Sequence, residues 1–127
     1  MIVADSDVLI DSLRGRPAVE KISAELKKGT LATTVINCFE LLSGARNERQ
    51  REKIEKLLNA MDVLQLDTEA ARRASLLRRQ LESQGRGIGM ADYLVAAICL
   101  ERDAALLTRN LDHFSRVPGL KVLDPES

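Results

Sequence analysis

Met1-Ile2-Val3-Ala4-Asp5-Ser6-Asp7-Val8-Leu9-Ile10-Asp11 opens the chain, and its reading decides the fold class. Four apolar residues in a row followed by an acid predict a short strand, covered on both faces, that ends at Asp5. Ser6 or Asp7 caps the next helix, and Val8, Leu9, Ile10 and Leu13 supply its apolar face. A strand that runs directly into a helix begins a parallel strand–helix–strand unit. In such sheets, sites form at the carboxyl ends of the strands, which is where Asp5 falls.

The rest of the chain repeats the alternation. Gly15 to Pro17 breaks the first helix, and Pro17 starts a second that runs to about Lys28 and is ended by Gly29. Thr30-Leu31-Ala32-Thr33 reads as a second strand, followed by helices over Val35 to Ala45 and Glu48 to Ala60. Val63-Leu64-Gln65-Leu66 reads as a third strand. Asp67 or Thr68 caps a long helix to about Gln84, with Ala70, Ala74, Leu77 and Leu81 on one stripe. Gly85, Gly87 and Gly89 make a loop, and Met90 to Glu101 is a nearly all-apolar and therefore central helix. Ala104-Ala105-Leu106-Leu107 and Leu120-Lys121-Val122-Leu123 complete five strands. The prediction is a three-layer α/β/α domain over 1–127, with helices on both faces of a parallel sheet. If the first and fourth strands are neighbours, Asp5 meets Thr108, Asn110 and Asp112 in space.

Composition narrows the chemistry. The 127 residues balance 19 Lys and Arg against 19 Asp and Glu, so net charge selects no partner. Aromatics are 2%, which leaves few stacking platforms for bases; any nucleic acid is held through its backbone and shape. Arg72, Arg73, Arg78, Arg79 and Arg86 form a basic stretch, while Asp5, Asp7 and Asp11 cluster at the start. An acidic cleft beside a basic flank suits a phosphate polymer. Cys38 and Cys99 are expected to be buried reduced thiols, and a single His excludes Cys/His zinc spacing. The four-residue opening run predicts neither leader nor membrane span, and the expected location is the cytoplasm.

Asp5, Glu40 and Asp92 each lie in an apolar run without a local cation. Burial of an unpaired charge costs several kcal/mol or neutralises the group. The economical expectation is that the three converge on a hard divalent ion, Mg²⁺ or Mn²⁺. Helical spacing puts Asn37, Glu40, Ser43 and Gly44 on a polar edge and turns Val35, Phe39 and Leu42 toward the core. Asp92 lies in a first helical turn, where the helix dipole favours a carboxylate. The bland readings are a helix cap for Asp5 and Asp92 and an Arg partner for Glu40.

Ala4-Asp5-Ser6-Asp7-Val8-Leu9-Ile10-Asp11, Glu40-Leu41-Leu42-Ser43-Gly44-Ala45, Gly87-Ile88-Gly89-Met90-Ala91-Asp92 with Val95-Ala96-Ala97, and Leu107-Thr108-Arg109-Asn110 with Phe114 follow in order. Together they resemble the PIN-domain ribonucleases, and specifically the VapC-type toxins of VapBC toxin–antitoxin pairs. The resemblance implies a Mg²⁺- or Mn²⁺-dependent endoribonuclease with Asp5, Glu40 and Asp92 as acidic ligands and Thr108 bonded to the cluster. Asn110 stands where some relatives carry a fourth acid; Asp112 is displaced by two residues from that place, and His113 replaces the acid often found before the Phe. The expected site is therefore Asp5, Glu40, Asp92 and Asp112, supported by Thr108, Asn110, Asp7 and Arg109. The resemblance also implies an RNA substrate, a small VapB-type antitoxin over the cleft and a homodimer; Ile54, Leu57 and Leu58, which can extend an apolar face, make the helices around Val35 to Ala60 its expected surface.

Two rival readings remain open at this stage. Asp5-Ser6-Asp7-Val8 is also similar to the Asp-x-Asp start of haloacid-dehalogenase-like phosphatases, but the only Lys after residue 56 is Lys121. A non-catalytic module that keeps the PIN fold is the alternative from outside enzymology.

Overall fold

β1 (Ile2–Ala4) occupies the middle of a sheet whose other strands are β2 (Leu31–Thr34), β3 (Asp62–Leu64), β4 (Ala105–Leu107) and β5 (Val122–Leu123), as the computed structural model of the chain shows. Residues 1–16 and 19–126 are described. All pairings are parallel, in the order β3-β2-β1-β4-β5. Val3 is opposite Ala32 on one side and Leu106 on the other. The chain moves outward from β1 through β2 to β3, then crosses back to the far side of β1. That reversal puts the topological switch point, where such sheets form a crevice, at the carboxyl ends of β1 and β4.

Alternation along the strands sends successive side chains to opposite faces. Val3, Ala32 and Leu106 pack with α5 (Thr68–Ser83) and α6 (Met90–Glu101) through Ala74, Leu81, Val95 and Cys99. Ala4, Leu31 and Leu107 pack with α1 (Ser6–Leu13), α2 (Val19–Lys28) and α4 (Glu48–Asn59) through Val8, Leu9, Ile22 and Leu58. α3 (Val35–Ser43) spans the seam, with Leu41 in the second cluster and Ile36 against the first. The three-layer expectation holds, and α6 is central as its composition demands, with Tyr93 and Val95 to Cys99 buried.

Local differences have identifiable causes. Thr34 is the last residue of β2 and also caps α3, accepting from the Asn37 backbone N–H. Its pairing with Leu64 is the last in that ladder, so β3 stops there rather than at Leu66. Asp67, not Thr68, caps α5 and accepts from the Ala70 N–H at 2.8 Å. Asp5 itself, rather than Ser6 or Asp7, caps α1. Pro17 lies outside the described residues. A one-turn helix α7 (Leu111–Phe114), too short to leave a periodic signal, buries Phe114 completely. Phe39 does not face the core; it is 70% exposed. Asn37 and Leu41 take the inward face of α3, and a residue two positions from each points about 200° away. Glu40 is likewise exposed rather than buried, and Cys38 is only partly buried.

Leu81 and Leu76 share α5 but are 0% and 63% exposed. Leu81→Ala is expected to lower unfolding free energy by about 2–5 kcal/mol. Leu76→Ala is expected to stay within about 0.5 kcal/mol of the parent. Urea denaturation of both variants measures the contrast.

Candidate active site

Asp5 leaves β1 at the crevice and is 9% exposed, so its carboxylate has almost no water to solvate it. Donors from three elements compensate. Oδ1 accepts from the Ser6 N–H and from Asn37 Nδ2, both at 2.9 Å, and Oδ2 accepts from Thr108 Oγ1 at 2.8 Å. Asn37 is fully buried and is itself oriented, because its Oδ1 accepts from Thr34 Oγ1 at 2.8 Å. Thr108 is fully buried just past β4, and its Oγ1 also accepts from the Asn110 N–H at 3.0 Å. Burial still dominates: it pushes the Asp5 pKa above the ordinary carboxylate value, and the nearby Asp92 charge adds to the rise.

The remaining acids gather around this centre by different routes. Asp7 lies in the first turn of α1 and accepts from the Arg109 backbone N–H at 3.2 Å instead of capping its own helix. Burial and then the charge of Asp5 push its pKa up to about 6. Glu40 is joined through Ser6, whose Oγ donates to Oε1 at 3.0 Å while accepting from Asn37 Nδ2 at 3.0 Å. Asp92 Oδ2 lies 3.1 Å from His113 Nδ1, and Asn110 Nδ2 lies 3.0 Å from the same nitrogen. An ionised Asp92 can only accept, so Nδ1 carries the proton. The Asn110 group facing it is then the amide oxygen, which exchanges places with the nitrogen on a simple flip.

Asp112 does not join them. Its side chain is 82% exposed and accepts from Arg116 Nη2 at 2.9 Å, while Arg116 Nη1 donates to the Gly87 carbonyl at 3.1 Å. Arg109 points its guanidinium away, onto the buried Asp11. Sequence reading grouped Asn37 with Glu40 but not with Asp5, and it gave no tie between His113 and Asp92. The helical offset of Asn37 from Glu40 was the available signal for the first. The second depends on α7 docking against α6, which no local pattern encodes.

Asp5, Asp7, Glu40 and Asp92 offer carboxylate oxygens, the donor type that a hard divalent cation prefers. Among the described residues, no three His, Cys, Asp or Glu side chains lie together in a group that could hold a metal ion. An ion of the Mg²⁺ type needs only one or two protein carboxylates, with water and substrate phosphate completing its shell.

The PIN domain family model matches residues 2–120. The chain belongs to the PIN-domain family. Ribonuclease VapC10 of Mycobacterium tuberculosis is 39% identical over 123 residues, covering 95% of this chain and 91% of the relative. At that likeness the chain belongs to the VapC branch of the family. The tRNA(fMet)-specific endonuclease VapC of Shigella flexneri is 29% identical over 124 residues, covering 94% of each chain. In the crystal structure of VapBC-1 from nontypeable Haemophilus influenzae, the matching chain is 28% identical with a TM-score of 0.84, and both chains are covered completely. Among the described residues, no helix of this VapC-type chain is long and apolar enough to cross a membrane.

Asp7 yields a pH prediction. Its native pKa of about 6 stands above the ordinary 3.8, so the metal-free native state binds the proton more tightly than the unfolded chain. The stability this contributes is complete below about pH 4 and is lost as pH rises through about 6. In EDTA the melting temperature is expected to fall across that window. Asp7→Asn keeps an acceptor for the Arg109 N–H, flattens the fall and raises the melting temperature at neutral pH. Thermal scans from pH 4 to 7.5 measure both effects.

Proposed function

We propose that this VapC-type PIN protein is a divalent-metal-dependent endoribonuclease and the toxin of a type II toxin–antitoxin pair. The observation that carries the reading is the Asp5 carboxylate, buried at the sheet's switch point beside Asp92 and Asp7 and compensated by neutral donors rather than by a cation. Such a site gains stability from a bound cation. The relatives' names and the VapBC-1 complex support RNA as substrate and a small VapB-type protein as partner.

Asp5, Glu40 and Asp92 would hold Mg²⁺ or Mn²⁺, which supplies Lewis-acid activation of water and offsets charge on the phosphate. The chain's own task is positioning. Ser6, Asn37 and Thr108 fix the Asp5 carboxylate by hydrogen bonds to both its oxygens. His113, against Asp92 Oδ2, would hold that carboxylate in place for the ion. Asp112 can join only after leaving Arg116. Hydrolysis would leave a 5′-phosphate and a 3′-hydroxyl.

The phosphatase reading loses its cation in the fold. Lys121 lines a groove with Met1 and Ile2, at the amino end of β1, opposite Asp5.

Cleavage of bulk tRNA and total RNA by the purified chain is the test, with Mg²⁺, Mn²⁺ or EDTA. Metal-dependent cleavage that Asp92→Asn lacks is the expected result. Cleavage that survives EDTA or the substitution would overturn the reading. His113→Ala, which removes an outer partner of Asp92, is expected to cost about 10–100-fold in activity or metal affinity.

A further inference from the structure

The basic run on α5 is largely spent on ion pairs. Arg72 meets Glu69 at 3.2 Å, Arg73 meets Glu101 at 3.4 Å and Arg78 meets Glu82 at 3.1 Å. A second basic group, invisible in sequence order, forms in space. Arg14 follows α1, Arg46 follows α3 and Lys53 lies on α4, and all three line one groove of about 340 Å³. Ile10, Leu13 and Ile54 contribute apolar lining, and Glu40 is the single acid. Among the described residues, none of the three cationic side chains has an ion pair or hydrogen-bond partner.

Three uncompensated cations around one groove, against one acid, repel each other unless an anion lies between them. The acid they adjoin belongs to the candidate active site, so a strand whose phosphate reaches Glu40 continues past the cations. We propose that this groove holds the phosphodiester backbone of the RNA on one side of the cleavage point, with Arg14, Arg46 and Lys53 as sequence-independent phosphate contacts. This rests on the ribonuclease reading for the identity of the ligand. Each guanidinium can take phosphate oxygens bidentately, and Lys53 acts as a point charge.

The test uses the full chain carrying Asp92→Asn, so that RNA survives, and a fluorescein-labelled mixed-sequence single-stranded RNA in EDTA. Anisotropy titrations over a salt series give the slope of log K against log salt. Each lost phosphate contact lowers that slope by about 0.7, so Arg14→Ala, Arg46→Ala and Lys53→Ala together should lower it by about 2. Lys27→Ala, Arg102→Ala and Lys121→Ala together, all exposed and outside the groove, should leave it unchanged. In the active background the groove triple should raise KM by on the order of tenfold, with kcat nearly constant, as loss of uniform binding requires. Equal slopes for the two triples would overturn the proposal, as would a parent that binds this RNA without salt dependence. RNA binding that depends on the groove in a protein that never cleaves would overturn the ribonuclease reading alone. Cleavage with an unaffected KM would overturn the groove alone.

Discussion

The buried carboxylate of Asp5 is the constraint around which this molecule is arranged. An acid with almost no access to water must be satisfied by the protein, and here each oxygen is claimed by groups from different elements. Asn37 can serve only if α3 leaves β2 at an angle that Thr34 sets, and Thr108 can serve only if β4 is beside β1. The donors are neutral, so the site keeps its negative character. Its raised pKa shows that hydrogen bonding only partly offsets desolvation. A site held in that condition without a metal is less stable than its sequence could make it, which is a common cost of function.

The sheet order creates the opportunity. With β1 central and the chain turning back across it, the residues after β1 and β4 converge without any long loop. Helix α6 brings in Asp92 by lying flat against the sheet, which Ala96, Ala97 and Cys99 permit because they are small. The Cys99 thiol is fully enclosed there, and burial pushes its pKa up to about 12, so it serves as packing and not as a reactive group. α7 then closes the far side, anchored by the buried Phe114, and brings His113 to Asp92.

Charge shows the same dependence on three dimensions. Three of the arginines on α5, Arg72, Arg73 and Arg78, are paired with acids at helical spacing or on α6, and so carry little net field. Among the described residues, Arg14, Arg46 and Lys53 share a groove whose single acid, Glu40, pairs with none of them. Proximity in the chain was therefore a poor guide to where an anionic polymer would be held.

Reading residues in order was enough for the parallel sheet and the central apolar helix, and it singled out Asp5, Glu40 and Asp92 as candidates. Those features follow from local rules: apolar run length, 3.6-residue spacing and the position of an acid at a strand or helix end. The orientation of Phe39 away from the core escaped because only packing shows which stripe of α3 is inward. The pairing of Asp112 with Arg116 is a local i,i+4 contact that spacing alone permits, whereas that of His113 with Asp92 escaped because a one-turn helix has no period to read and its docking is set by Phe114. Contacts between residues distant in the chain are chosen by how whole elements pack, and no window of sequence contains that information.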